Sequence, residues 1–378
     1  MVAAALHSPL SQSKRIVIKI GSALLIDAQT GTLRSDWLST VADDIAGLKS
    51  RGVDVVIVSS GAIALGRKRL GLNGTLSLSE KQACAAAGQS ELTRAYERAL
   101  EPHHIVTAQA LLTLTDTEDR RRWLNARGTL QTLIKLGAVP IVNENDTVAT
   151  DEIRYGDNDR LAARVAQMLG ADTLVLLSDI DGLYTDDPRK NSTAKHLPLI
   201  DSLTPDIMAM GGDANAGAQV GTGGMATKLL AAKIAVDAGC SMVIMDGQAP
   251  SPLSRLMNGA TCSVFKASGD PAGARAQWIM GALKPKGTLH IDGGAAGAIT
   301  KGSSLLAAGI TDVSGDFVKG DTVLVMDLND VEVARGLIGY SAVEARHIMG
   351  RKSDEISAIL GYDNGAAVIH RDNMVITS

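Results

Sequence analysis

The feature that most constrains the fold is a regular alternation of short apolar runs and longer amphipathic segments between Lys14 and about Met280. Most of the runs are rich in Val and Ile without polar alternation, as is typical of strands buried on both faces of a parallel sheet. They are RIVIKI (15–20), VDVVIV (53–58), HIVTAQ (104–109), AVPIV (138–142), DTLVLL (172–177) and SMVIM (241–245), with helical patterns between them at 36–50, 79–100, 117–136, 158–169 and 225–238. This order predicts right-handed β–α–β crossovers, and hence an α/β fold: a three-layer αβα sandwich around a mainly parallel sheet.

The pattern changes after GALKPKG (281–287), where Pro285 and two glycines indicate a linker. Short alternating strands follow, with little helix apart from AVEARHI (342–348) and a turn near 354–360. We therefore predict two domains, an α/β domain at 14–280 and a small β-rich domain at 285–372.

Composition excludes several classes of protein. The net charge of −4 is not that of a chain held to nucleic acid by its bulk field, and 10 aromatic residues provide little base stacking. Three scattered cysteines form no disulfide framework or C-x-x-C metal motif, which indicates a reducing compartment. No apolar stretch approaches the roughly 18 residues of a membrane span. We expect a cytoplasmic protein without membrane or nucleic-acid partners.

Polar or glycine-containing segments follow several predicted strands, where ligands of parallel sheets bind. They are KIGS (19–22), SSGA (59–62), NEND (143–146) and Ser178-Asp179. Any one could be an ordinary strand-to-helix turn, but four on one predicted edge favour a binding site. Lys19 interrupts the first apolar run, so its charge needs either a structural ion pair or an anionic ligand.

A second lysine, Lys228, follows a glycine-rich stretch that opens a helix in VGTGGMATKLL (220–230). Free N–H groups at a helix N-terminus favour bound phosphate, although this is no G-x-x-x-x-G-K-[ST] loop. Together the glycines and the lysine indicate a phosphate site.

Asp157, Asn158 and Asp159 stand where another helix begins. One such residue suffices to cap a helix. The other two are open to a functional role, either coordination of Mg²⁺ or positioning of a cationic group. The motifs H-E-x-x-H, G-x-S-x-G and G-x-G-x-x-G after the first strand are absent, which counts against a zinc protease, an α/β hydrolase and a Rossmann dehydrogenase.

The motifs together resemble those of the bacterial glutamate 5-kinases, a branch of the amino acid kinase family. The similarity runs from about residue 14 to the C-terminus, and the tail is similar to a PUA domain. Its motifs are VIKIGS (17–22), VSSGAIALG (58–66), VNENDTVAT (142–150), GDNDRL (156–161), SDIDGLYTDDPR (178–189) and GTGGMATK (221–228), and in the tail IDGGAAGAITKGSSLL (291–306), FVKGDTV (317–323) and EVARGLIGYSA (332–342).

The resemblance implies ATP-dependent phosphorylation of the side-chain carboxylate of L-glutamate to L-glutamyl 5-phosphate, the first step of proline biosynthesis. It implies Lys19, Lys228 and Asp159 as catalytic residues, with Asp159 holding the two lysines, and Mg²⁺ held mainly by nucleotide phosphates. The implied glutamate-binding residues are Ser60, Gly61, Asn143, Asp146 and Asn158. The implied ATP-binding residues are Lys19, Gly21, Ser178, Asp179, Thr222, Gly223, Gly224, Met225, Ala226, Thr227 and Lys228.

The resemblance also implies inhibition by L-proline, with the loop near 144–156 governing sensitivity, and a homo-oligomer, either a dimer or a tetramer. Transfer of the labile product to the next pathway enzyme is open. One alternative is a sibling kinase acting on acetylglutamate, aspartate, carbamate or a nucleotide. Another is an RNA-binding protein acting through the PUA-like tail, although residues 281–378 carry 9 Lys and Arg against 12 Asp and Glu.

Overall fold

A computed structural model describes residues 10–148, 158–212, 224–271, 273–274, 285–362 and 365–377. The chain divides into two compact units, one of Met1–Glu118 with Asn125–Pro271 and one of Asp119–Leu124 with Ala272–Ser378. The domain limits that the sequence predicts, 14–280 and 285–372, stay predictions.

The first unit is built on an eight-stranded sheet with the order β3-β4-β2-β1-β5-β9-β10-β8. All neighbouring strands are parallel except β9 and β10, so the predicted mainly parallel sheet is confirmed. A short pair, β6 and β7, forms a separate antiparallel ribbon. The strands are β1 (Arg15–Ile20), β2 (Asp54–Ser59), β3 (Thr107–Leu112), β4 (Val139–Glu144), β5 (Thr173–Ser178), β6 (Leu183–Tyr184), β7 (His196–Leu197), β8 (Leu199–Ile200), β9 (Ser241–Asp246) and β10 (Cys262–Phe265).

Helices cover both faces of this sheet, which confirms the αβα sandwich. They are α1 (Ser22–Leu25), α2 (Ser35–Ser50), α3 (Ala62–Arg69), α4 (Leu78–Leu100), α5 (Leu114–Glu118), α6 (Arg120–Lys135), α7 (Asn158–Leu169), α8 (Pro205–Ala209), α9 (Met225–Asp237) and α10 (Pro252–Met257). Side chains alternate between the two faces of a strand. Ile16, Ile18 and Ile20 of β1 therefore join one core cluster with α2, α4 and α10, whereas Lys19 lies on the opposite face, where α7 contacts β1.

The predicted helix ends agree with the structure. Gly137, Gly170 and Gly239 each follow a helix with a positive φ, a conformation that glycine adopts at little cost. One strand starts later than the run HIVTAQ predicts. A 3₁₀ helix at Glu101–His103 and the left-handed His104 delay β3 to Thr107.

Helices α3 and α4 pack unusually closely, and small residues make this possible. A Cβ on Gly66 would collide with the carbonyl oxygen of Cys84, and a Cβ on Gly88 with that of Ala62. The N-terminus of α4 is fixed by a capping box in which Ser77 and Glu80 exchange hydrogen bonds. The close approach of Gly88 to Ala62 places the start of α3, directly after β2, against α4.

The second unit contains a five-stranded sheet with the order β13-β11-β14-β15-β17, in which β11 and β14 are parallel and the other pairs antiparallel. A further pair joins β12 and β16. Its buried core includes Leu289, Val323, Val325 and Tyr340. The elements are β11 (Gly287–Ile291), α11 (Gly293–Thr300), β12 (Leu305–Leu306), β13 (Ile310–Gly315), β14 (Thr322–Met326), β15 (Glu332–Leu337), α12 (Ala342–Ile348), α13 (Ile356–Leu360), β16 (Ala367–Ile369) and β17 (Met374–Ile376).

Within the described residues, no helix combines the length and the apolar character needed to cross a lipid bilayer.

Candidate active site

The carboxyl ends of four neighbouring parallel strands bring the predicted site segments to one edge of the sheet. The strands lie in the order β4-β2-β1-β5, and each ends in polar residues. Lys19 of β1 is in register with Val58 of β2 and Leu176 of β5. The edge that the sequence predicts is therefore present, and the side chains on it form two adjoining groups.

The first group is a buried ionic triad of Lys19, Asp159 and Lys228. The Lys19 Nζ lies 2.7 Å from Asp159 Oδ1, and the Lys228 Nζ lies 3.1 Å from Asp159 Oδ2. The side chains are 8%, 1% and 7% exposed for Lys19, Asp159 and Lys228 respectively, so water screens them little. Burial alone would raise the pKa of Asp159, but the two lysines outweigh it and hold that pKa well below its usual range. The triad therefore carries two positive charges against one negative charge.

Three different elements hold the triad together. Lys19 comes from the end of β1, Asp159 from the first turn of α7, and Lys228 from the first turns of α9. Helices α7 and α9 pack against each other, and α7 also contacts β1 and β5. The backbone of Gly21 lies close to the Lys19 ammonium group, since a Cβ on Gly21 would lie 3.6 Å from the Lys19 Nζ.

The N-terminus of α9, the helix that carries Lys228, adjoins this group, and Gly224 is its N-cap. The N–H groups of Thr227 and Lys228 donate to the Gly224 carbonyl, whereas those of Met225 and Ala226 have no acceptor within the helix. The predicted ATP-binding residues Gly224, Met225, Ala226 and Thr227 thus lie where the helix dipole favours an anion. Thr222 and Gly223 lie outside the described residues.

The second group is an amide network that joins Ser60, Asn143 and Asn158. The Asn158 Nδ2 lies 2.9 Å from the Ser60 Oγ, 2.9 Å from the Asn143 Oδ1 and 2.6 Å from the Ser59 carbonyl oxygen. Both asparagines are buried, at 2% exposure for Asn143 and 4% for Asn158. Because Asn158 immediately precedes Asp159, the network and the triad share the start of α7.

Gly61 turns the chain from β2 into α3 with a φ of +111°, a backbone conformation that other residues rarely adopt. This turn presents Ser60 to Asn158 and begins α3 at Ala62. The predicted site residues Ser60 and Gly61 are therefore placed next to each other by backbone geometry that depends on glycine.

Asp146 lies beyond β4 in a small cavity beside the amide network. Within the described part of the chain, its carboxylate has no hydrogen-bond or ion-pair partner, and burial raises its pKa to about 6. The cavity is lined by Ala85, Ala86, Gln89, Leu111, Glu144, Asn145, Asp146 and Thr147. A half-buried carboxylate without a partner favours a cationic ligand there.

Ser178 ends β5 and Asp179 follows it on the same edge, but the described contacts do not join them to either group. The Ser178 Oγ donates to Asp179 Oδ1 at 3.1 Å, and Asp179 is exposed. Their predicted contact with the nucleotide stays a prediction.

Two residues outside the segments that the sequence indicated support the amide network. The Asn143 Nδ2 donates to the Gln89 Oε1 at 2.7 Å, and the Tyr96 hydroxyl lies 2.8 Å from the Ser59 Oγ. Gln89 and Tyr96 are seven residues apart on α4 and hence on one face of that helix. Nothing in their local sequence distinguishes them from ordinary helix residues.

The described residues contain no group of three or more His, Cys, Asp or Glu side chains that could hold a metal ion. Asp159 is already engaged by two lysines, so its carboxylate oxygens are occupied by ammonium groups.

Comparison with known proteins decides the family. The amino acid kinase family model matches residues 14–246, and the PUA domain model matches residues 287–360. The chain is 57% identical over 369 residues to a glutamate 5-kinase of Paramagnetospirillum magneticum, covering 98% of this chain and 99% of the relative. The chain belongs to the glutamate 5-kinase family. Glutamate 5-kinases of Dinoroseobacter shibae and Paracoccus denitrificans are each 56% identical, and the matches cover 97% and 99% of this chain and 99% and 100% of the relatives.

Membership of the glutamate 5-kinase family confirms the resemblance that the motifs indicated. Because the matches extend over nearly the full chain, the second unit belongs to the shared architecture, and the PUA model confirms the predicted character of the tail.

Proposed function

We propose that this chain uses ATP to phosphorylate the side-chain carboxylate of L-glutamate, yielding L-glutamyl 5-phosphate and ADP as the first step of proline biosynthesis. The observation that carries the proposal is the buried triad. Two lysines converge on one carboxylate in a site that water screens little. Clustered ammonium groups stabilise developing negative charge strongly where water is largely excluded. A transferring phosphoryl group at the sheet edge is the anion that this arrangement suits.

The reaction joins two anions, so alignment and charge neutralisation carry most of the catalysis. An oxygen of the glutamate carboxylate attacks the γ-phosphorus of ATP, a new O–P bond forms, and the bond to the β-phosphate oxygen breaks. Lys19 and Lys228 contact the equatorial oxygens from opposite sides, while Asp159 fixes both ammonium groups. This arrangement suits a charge that grows on the transferring group.

Glutamate binds on the amide network and in the adjoining cavity. Ser60, the Gly61 backbone, Asn143 and Asn158 orient the substrate toward the triad. Asp146 pairs with the α-ammonium group, since its half-buried carboxylate lines that cavity and has no partner among the described residues.

The nucleotide phosphates bind the N-terminus of α9 through the Met225 and Ala226 N–H groups, with Gly21, Ser178 and Asp179 along the same edge. Thr222 and Gly223, which the sequence analysis also selected, belong to this proposed nucleotide site. Mg²⁺ bound mainly by those phosphates supplies further neutralisation of charge.

The test is ATP-dependent hydroxamate formation with the purified chain and hydroxylamine, which traps an acyl phosphate. We expect hydroxamate from L-glutamate and little from N-acetylglutamate, aspartate or carbamate at equal concentration. A clear preference for one of these three would transfer the assignment to a sibling kinase. Reactions without ATP or without glutamate are the controls.

Three finer properties belong to the same proposal. L-Proline inhibits by occupying the glutamate site or overlapping it, the chain forms a homo-oligomer, and the enzyme acts in the cytoplasm. Residues 149–156 of the loop that we expect to govern inhibition lie outside the described residues, so support for this part comes from family membership alone. A proline titration of hydroxamate formation that shows no inhibition at millimolar levels would count against inhibition.

A further inference from the structure

We propose that Gln89 binds the α-carboxylate of the substrate through its side-chain amide nitrogen and thereby selects for free α-amino acids. This inference rests on the function proposed above and assigns a role to a residue that none of the sequence motifs contains.

The orientation of the Gln89 amide follows from a hydrogen bond that cannot be reversed. The backbone N–H of Glu144 donates to the Asn143 Oδ1 at 2.8 Å, so that atom must be an acceptor. The Asn143 Nδ2 must then donate to Gln89, and the Gln89 atom that receives it is Oε1. The Gln89 Nε2 therefore points away from Asn143.

This Nε2 is buried and has no hydrogen-bond partner among the residues that the structure describes. Buried amide donors are nearly always paired, so an unpaired one beside a binding cavity indicates a missing ligand acceptor. Gln89 lines the same cavity as Asp146. The residues that line the cavity thus include an amide with a free donor and a carboxylate.

These two groups match the two charges of an α-amino acid. The α-ammonium and α-carboxylate groups are attached to one carbon atom, so a substrate whose ammonium pairs with Asp146 brings its carboxylate into the same cavity. Asp146 would repel that carboxylate, which therefore needs a donor elsewhere in the cavity. The Nε2 of Gln89 supplies the donor, while its Oε1 keeps Asn143 in place.

The substitution Gln89→Glu separates these two roles. It keeps an oxygen that can accept from Asn143, but it replaces the donor with a second oxygen that repels the α-carboxylate. Gln89→Leu removes both roles, and Gln131→Glu on α6 makes the same chemical change at a half-buried helix position away from the cavity. The substrates are L-glutamate and its α-amide, isoglutamine, whose carboxamide can donate to the carboxylate that Gln89→Glu introduces.

For Gln89→Glu we expect the KM for glutamate to rise roughly 10- to 100-fold, the effect of losing a hydrogen bond to a charged group. The ratio of kcat/KM for isoglutamine to that for glutamate should rise by at least about tenfold. Wild type and Gln131→Glu should share one ratio. A thermal melt of each variant records whether it is folded.

Equal losses of kcat/KM on both substrates in Gln89→Glu, or no loss on either, would overturn the assignment, because a purely structural role cannot distinguish them. If the wild-type chain forms no hydroxamate from glutamate, the proposed function fails as well. An active wild type with equal losses overturns only the role of Gln89.

Discussion

At the scale of single residues, the site depends on charges whose environment differs sharply from water. Asp159 is held between two lysines, whereas Asp146 is half-buried without a described partner, so burial and ion pairing move their pKa values in opposite directions. Groups separated in this way take different roles. Asp159 stays ionised throughout the physiological pH range. The pKa of Asp146, about 6, lies close to that range.

Substituting Lys228 should affect the chemical step rather than glutamate binding. In Lys228→Ala, Asp159 keeps its pair with Lys19, so the chain folds but loses charge stabilisation in the transition state. We expect kcat to fall roughly 10²- to 10³-fold with little change in the KM for glutamate. Steady-state kinetics with saturating ATP measure both.

The matched control is Lys233→Ala on the same helix, where Lys233 forms an exposed pair with Asp237 at 3.4 Å. Its kinetics should equal those of wild type, because exposed pairs contribute little. Near-normal kcat in Lys228→Ala would contradict the triad's role.

The raised pKa of Asp146 predicts that glutamate binding depends on pH. Its pKa is raised to about 6, so the carboxyl group is neutral below that pH and ionised above it. Because only the ionised form attracts the α-ammonium group, kcat/KM for glutamate should fall as the pH drops through about 6. A pH profile between about pH 5 and pH 8 measures this. In Asp146→Asn the profile should lose that step and lie at the low plateau, and persistence of the step in this variant would exclude Asp146 as its source.

At the scale of elements, helix α4 supports the substrate side of the site from behind. Its residues Gln89 and Tyr96 contact Asn143 and Ser59, and its glycine allows α3 to approach closely. The position of Ser60 and Gly61 therefore depends on how tightly α3 and α4 pack.

Gly88→Ala should disturb this packing. The added Cβ would collide with the Ala62 carbonyl oxygen and lie 2.5 Å from the Gly66 nitrogen, both rigid backbone atoms. We expect the free energy of unfolding to fall by about 1–3 kcal/mol and the KM for glutamate to rise. Urea denaturation and kinetics measure the two effects.

Gly47→Ala on α2 is the control, since nothing lies within 4 Å of a Cβ there. It should stabilise the chain by about 0.5–1 kcal/mol through helix propensity. If Gly88→Ala behaved like Gly47→Ala, the close packing would not constrain the site.

Long buried strands and long amphipathic helices could be predicted from sequence because their periodicity is strong. Helix α7 was predicted with its observed limits. The sequence also indicated Lys19, Asp159 and Lys228, because each is a charged residue near the end of a helix or strand that is otherwise buried. The strands β6 to β8 and the antiparallel β10 have two to four residues each, too few for a periodic signal. The roles of Gln89 and Tyr96 arise only from tertiary contacts.

At the scale of the whole molecule, charge argues against nucleic acid as a partner. Residues 281–378 hold fewer Lys and Arg than Asp and Glu, and binding to phosphate backbones requires cations that release counterions. We expect no tight RNA binding at physiological salt in a filter-binding assay. Saturable binding with a steep salt dependence would contradict this expectation and assign the PUA unit an RNA partner.

The origin of the oxygen atoms in the released phosphate distinguishes transfer to the glutamate carboxylate from other uses of ATP. The reaction uses L-glutamate labelled with ¹⁸O in its side-chain carboxylate, with ATP and hydroxylamine. In the proposed reaction the carboxylate oxygen becomes the bridging oxygen of the acyl phosphate, and hydroxylamine expels it with the phosphate. We expect one ¹⁸O atom in each phosphate released. Phosphate without ¹⁸O, formed at the same rate as ADP, would contradict transfer to the glutamate carboxylate.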